Sequence, residues 1–462
     1  MLFHTPRFFL LLALVLVLFY TLPRRFRTLL LVAASYLFYM SWNPKFIVLL
    51  VGLTLIDYTA ALWIDRSSAP GTRKLALIVS LGANLGLLGF FKYYNFFAEN
   101  LAWLMGRPAD SFAMAIILPL GISFHTFQSM SYVIDVYRRE QEPVRNLLDY
   151  ALFISFFPQL VAGPIVRARE FFMDFWHWRK PTADEISQGF LLLMLGLAKK
   201  IIVADRFAQL ADWYFKGVQG HAGMLTAWSG MIAFGIQIYF DFSGYTDMAI
   251  GMAALLGFHF PVNFRRPYLA PSITEFWRRW HISLSRWLRD YLYISLGGSR
   301  EGKWRTYRNL MLTMLLGGLW HGASWNFVVW GGYHGGLLAA ERAAGVEPGM
   351  GNRWLYVPRT ILTFGLAMIG WVFFRAQTFA DSRYVLGEAF GGVKGVWIIP
   401  RWENYLLVVL LVLALLEEHV EWFRRVSAGP AWAYGIVVAL LLMAVELIGY
   451  TGAAMPFVYF QF

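Results

Sequence analysis

No cysteine occurs in the 462-residue chain. A disulfide framework and a thiolate-ligated metal are therefore both excluded. Charge is scarce as well: Asp, Glu, Lys and Arg make up 15% of the residues, against about 25% in a soluble domain. There is no Walker loop, no glycine-rich dinucleotide fingerprint, no GxSxG elbow and no HExxH helix. The histidines do not cluster at metal-ligand spacing. An ATPase, a metallohydrolase and a permanently bound cofactor or metal are accordingly not expected.

What fills the chain is apolar: 58% of its residues, compared with roughly 45–50% in soluble domains. Apolar runs of about 17 residues or more recur from end to end, as bilayer-spanning helices require. The expected fold class is therefore an all-α polytopic membrane protein seated in a lipid bilayer. Candidate spans cover 8–22, 27–41, 45–64, 74–91, 113–136, 148–164, 187–204, 224–256, 308–320, 325–345, 358–375, 403–419 and 431–451. Several are too short or too polar to cross alone, which leaves about eleven crossings plus re-entrant pieces. No soluble stretch is long enough to fold separately, so residues 1–462 are expected to form one membrane domain.

The formal charge of +12 does not point to nucleic acid. Lys and Arg sit mostly in short connectors, such as 24–27, 65–74 and 138–145, as the positive-inside bias places them. The first apolar run, Phe8–Tyr20, lacks a small-x-small cleavage site and is followed by Pro23, Arg24 and Arg25. It is expected to be an uncleaved span with the N-terminus outside the cytoplasm. Many of the 20 tryptophans and 23 tyrosines flank the spans, as interfacial belts do.

Polar residues inside apolar segments carry the functional signal, because a charge at a helix centre costs about 2.5–3.5 kcal/mol on insertion scales. Gln237, Asp241, Ser243, Tyr245 and Asp247 all fall inside 224–256. They suit a lined cavity or a helix contact joined by hydroxyls. Between Glu275 and Tyr293 lie Arg278, Arg279, Arg286 and Arg289 with three tryptophans. That density suggests an interfacial or re-entrant amphipathic helix. Its arginines suit either lipid phosphate or an anionic substrate. His281 stands within it. His321 stands in GGLWHG, where Gly317, Gly318 and Gly322 thin the wall around it. An imidazole can take a proton from a hydroxyl near neutral pH, which few side chains do unperturbed. Weaker signals are His125 with Gln128, the proline-broken stretch 158–167, Trp371 with Arg375, and Lys199 with Lys200, read most simply as positive-inside residues.

Three stretches together resemble the membrane-bound O-acyltransferase (MBOAT) family: FDFSGYTDMAIG, NFRRPYLAPSITEFWRRWHISLSRWLRDYLYISLGG and RNLMLTMLLGGLWHGASWNFVVWGGYHG. The upstream PLGISFHTFQSMSYVIDVYR and FFPQLVAGPIVR are similar to its bacterial branch, which serves O-acetylation of alginate, cellulose and peptidoglycan and D-alanyl transfer to teichoic acid. Core motifs lie in 119–335, whereas 403–462 matches nothing in the family pattern. The resemblance implies the MBOAT fold, a helix bundle of about eleven spans around a central tunnel. It also implies His321 as the catalytic histidine and His281 as the second one. A cytoplasmic thioester, acetyl-CoA or an acyl carrier, is the implied donor. The implied partners are a periplasmic acetyltransferase with a Ser-His-Asp centre and a polysaccharide machinery in the inner membrane. Candidate donor-binding and tunnel residues are Arg278, Arg279, Arg286, Trp320, Ser283, Ser285, Asp241, Tyr245, Gln237 and Asn263. A non-catalytic flippase and an assembly platform are the rivals from other classes.

Overall fold

The computed structural model describes residues 1–161, 163–346, 353–450 and 455–460. Among these residues every regular element is a helix or helical turn. Among the described residues five stretches are, by length and composition, long and apolar enough to cross a bilayer: Pro44–Arg66, Pro70–Leu104, Ala183–Phe215, Tyr356–Arg375 and Ala431–Ile448. Proline opens Pro6–Thr21 and Pro70–Leu88 in the first turn, where its missing N–H breaks no intrahelical bond. Side-chain oxygens of Asn146 and Ser272 cap Leu147–Ser155 and Ile273–Arg279, occupying N–H groups that have no partner within the helix.

The chain is laid out in two compact units. One comprises Met1–Phe190 with Met248–Pro261, the other Leu191–Asp247 with Val262–Phe462. In the first unit, the candidate span 113–136 turns helical only at Ile122, after Gly121 in a left-handed conformation (φ +69°). A Cβ there would sit 2.4 Å from the Leu160 carbonyl oxygen, so only glycine fits. The candidate span 148–164 also breaks, into Leu147–Ser155 and the single turn Phe157–Leu160. Phe156, Phe157 and Leu160 are fully buried there, as irregular backbone at membrane depth must be.

The second unit contains a tight helical hairpin, Lys303–His321 against Trp325–Ala343. Its helices meet through glycine: a Cβ on Gly318 would fall on the Phe327 carbonyl oxygen at 2.2 Å, and one on Gly331 would fall on that of Met314 at 2.4 Å. Close approach of this kind is how small residues join helices where water offers no driving force. The first helix of the hairpin ends at His321, where Gly322 takes an extended conformation (φ −163°). The stretch Glu275–Tyr293 departs from the expected continuous helix. It breaks between Ile273–Arg279 and Ile282–Trp287, with His281 left-handed (φ +43°, ψ +54°) at the junction.

Candidate active site

Both histidines lie in the second unit and both are buried. The left-handed backbone of His281 costs about 1–2 kcal/mol in a non-glycine residue. Such strain persists only where the surroundings over-determine it. Asn263 supplies that constraint. Its side-chain oxygen accepts from the Ser283 N–H (3.0 Å) and the Ser283 hydroxyl (2.9 Å), and it lies 3.3 Å from His281 Nδ1. Its carbonyl oxygen accepts from the Ile282 N–H at 2.9 Å. Since a backbone N–H can only donate, the atom facing His281 must be the amide oxygen. Nδ1 therefore carries the proton, and Nε2 keeps the lone pair in the neutral ring.

Trp320 stands between the two imidazoles, its ring 6.2 Å from that of His281 and 4.9 Å from that of His321. His321 is further enclosed by Trp330 and Phe374, each at 5.1 Å, and by Tyr459 at 5.6 Å. It also lines a cavity of about 260 Å³. Trp277, Leu284, Leu288, Met314 and Gly317 form much of its apolar wall, Ser285 and Thr313 add hydroxyls, and Arg342 and Arg289, the latter paired with Asp290 at 2.6 Å, add guanidinium groups. A base on the wall of a small apolar chamber, with cations on the same chamber, can deprotonate a hydroxyl beside a substrate that carries an anion.

Of the other predicted residues only Ser285 lines this chamber. Arg279 is held by Glu275 (3.0 Å) and Glu418 (3.2 Å). Arg278 is exposed, 3.8 Å from Glu275, and Arg286 is exposed as well. None of the three is among the cavity-lining residues, where Arg289 and Arg342 stand instead. Asp241 and Tyr245 are buried beside Lys200, and Gln237 is buried on the same helix, Met224–Leu255. Lys200 is not an interfacial cation of the positive-inside kind. It is 1% exposed and bonded at 2.8 Å to both Asp205 and Asp241. Lys199 pairs with Asp247.

Sequence reasoning missed Trp330, Phe374, Arg342 and above all Tyr459. The last belongs to a segment, Phe457–Phe460, that returns to His321 from the far end of the chain. Its one sequence signal is the aromatic density of FVYFQF at residues 457–462.

The sequence model of the membrane-bound O-acyltransferase family matches residues 74–346. A protein named probable alginate O-acetylase AlgI from Pseudomonas putida is 40% identical, with 98% of each chain covered. The chain belongs to the membrane-bound O-acyltransferase family. Its namesake from Pseudomonas aeruginosa is 48% identical over 80% of this chain and 71% of that one. A peptidoglycan O-acetyltransferase from Helicobacter pylori is 39% identical over 80% and 75%. As an MBOAT protein this chain is a multi-pass membrane acyltransferase, and its buried histidine pair lies in the stretch that the family model covers.

Proposed function

We propose that this acyltransferase takes an acetyl group from a cytoplasmic thioester and passes it across the membrane for O-acetylation of a polysaccharide of the alginate type. The observation that carries the reading is the His321 imidazole on the wall of a chamber that Arg289 and Arg342 also line. At about 260 Å³ the chamber is slightly smaller than usual ligand pockets of about 300–1,000 Å³. It suits the acyl end of a donor, whose phosphate-bearing part stays outside near the arginines. Acetyl-CoA and an acyl-carrier thioester share that chemistry, and no resident cofactor is needed.

His321 takes the proton of the acceptor hydroxyl as its oxygen attacks the thioester carbonyl. The carbon–sulfur bond breaks, and the departing sulfur takes the proton back from His321 to leave as a free thiol. General-base help of this kind is worth about 10²–10⁴ in rate, and holding the two reactants end to end supplies more. His281, with Nδ1–H engaged by Asn263, has only an acceptor left in its neutral form. It therefore orients a donor group rather than stabilising an oxyanion. The positive connectors keep 24–27, 65–74 and 138–145 on the cytoplasmic side of the inner membrane, with the N-terminus opposite. A periplasmic Ser-His-Asp acetyltransferase completes the transfer. The names of the relatives support the polysaccharide context.

His321→Ala tests the reading. Polysaccharide acetylation should disappear at unchanged membrane abundance, together with acetyl-CoA consumption by the purified protein. Retained acetylation removes His321 from the chemistry and, with it, the proposal.

A further inference from the structure

A buried charge cluster ties the end of the chain to the histidine site. Lys200 lies between two carboxylates, 2.8 Å from Asp205 Oδ1 and 2.8 Å from Asp241 Oδ1. One cation thus faces two anions at a buried place, so the remaining oxygen of Asp241 needs a donor of its own. The Val458 N–H provides it at 2.7 Å, from 217 positions further along the chain. Phe457 and Val458 are completely buried around that bond. The Phe457 ring packs on Tyr245 at 4.6 Å, and Tyr459 packs on Phe242 at 4.5 Å and on His321 at 5.6 Å.

Apolar contact alone holds such a segment without deciding its register, because one aromatic ring fills the site much as the next does. A single directional bond to Val458 decides it, and so decides which side chain meets His321. We propose that Asp241 is a positioning residue whose carboxylate seats the C-terminal segment Phe457–Phe460 against His321, making that segment part of the wall of the transfer site. The proposal rests on His321 being the reacting imidazole, but the seating itself can be read without any turnover.

The absence of cysteine allows a clean accessibility test. Val458→Cys keeps the backbone N–H and introduces the only thiol. With Asp241 intact, the thiol should resist a membrane-permeant maleimide in the full-length protein. In an Asp241→Leu background, where Lys200 retains Asp205, labelling should accelerate about 10-fold or more, as loss of a hydrogen bond to a carboxylate implies. A second variant, Val458→Pro, leaves membrane insertion untouched. It falls at the first position of the closing helical turn Val458–Phe460, where proline is commonly accepted, and it removes the donor. It should cut turnover about 10-fold with little change in the KM for acetyl-CoA. Equal protection of the thiol in both backgrounds, or full turnover in Val458→Pro, overturns the proposal. Should His321→Ala stay active while the thiol still becomes exposed on losing Asp241, the seating stands and only its catalytic meaning falls.

Discussion

Replacing Gly331 with alanine adds one methyl group where two helices touch. The new Cβ would lie 2.4 Å from the Met314 carbonyl oxygen and 2.8 Å from Leu315 Cα, and backbone cannot step aside as a flexible side chain does. To reach even a 3.0 Å contact, Trp325–Ala343 must retreat from Lys303–His321 by about 0.6 Å. Overpacking of this kind costs about 1–3 kcal/mol. The displacement acts directly on the site, because His321 ends one helix and Trp330, 5.1 Å from it, precedes Gly331 on the other. Since a misplacement near 1 Å can cost about 10²-fold in rate, a loss between about 10- and 100-fold is expected in Gly331→Ala. The assay is acetyl release from isolated polysaccharide, normalised to membrane abundance. Gly336→Ala on the same helix is the control: apart from its own helix backbone, no described atom lies within 4 Å of its added Cβ. Alanine is favoured over glycine there by about 1 kcal/mol of helix propensity, so activity should hold. Equal activity of the two variants would refute the argument that glycine contact sets the distance between His321 and Trp330.

Asn263→Leu should reduce activity and destabilise the protein by about 1–3 kcal/mol for each polar group left without a partner, while Asn263→Asp, which keeps the acceptor, should recover much of both in thermal unfolding and turnover. Lys200→Met leaves Asp205 and Asp241 facing each other without a cation and should cost about 3–5 kcal/mol; adding Asp205→Asn should restore part of the lost melting temperature. His259 faces Asp174 through Nδ1 (3.1 Å) and Glu185 through Nε2 (3.2 Å), with Arg179 also on Glu185. Burial pulls its pKa down, but the two carboxylates outweigh that and hold it above the ordinary value of 6.5. Its contribution to stability is thus fully present below pH 6.5 and is lost as pH rises through the elevated pKa. Melting temperature in detergent should fall from pH 6 to pH 8, and His259→Gln should flatten that part of the profile.

Composition alone settled the solvent. A chain with 58% apolar residues and recurrent long apolar runs has no way to hide its backbone in lipid except as helices. Glycine spacing around His321 was legible for the same local reason: Gly317, Gly318 and Gly322 crowd one short stretch, and a Cβ on each would meet a neighbour within 3.2 Å. The break at His281 was not. A left-handed histidine is held by an asparagine 18 positions earlier, and helical periodicity carries no trace of it.

Lys200 shows the limit most plainly. Hydropathy places a lysine at the end of an apolar helix at the interface, yet Asp241, 41 positions later, draws it into the interior. The arginines follow the same rule. Of four in Glu275–Tyr293, only Arg289 reaches the chamber, joined by Arg342 from a different helix. Local pattern determined that the chain is helical and which polar residues are costly, but not where the helices at 113–136, 148–164 and 275–293 break. Which of those residues meet depends on packing between distant segments, and the return of Tyr459 to His321 exists only once Asp241 and the Val458 N–H are brought within 2.7 Å by the folded chain.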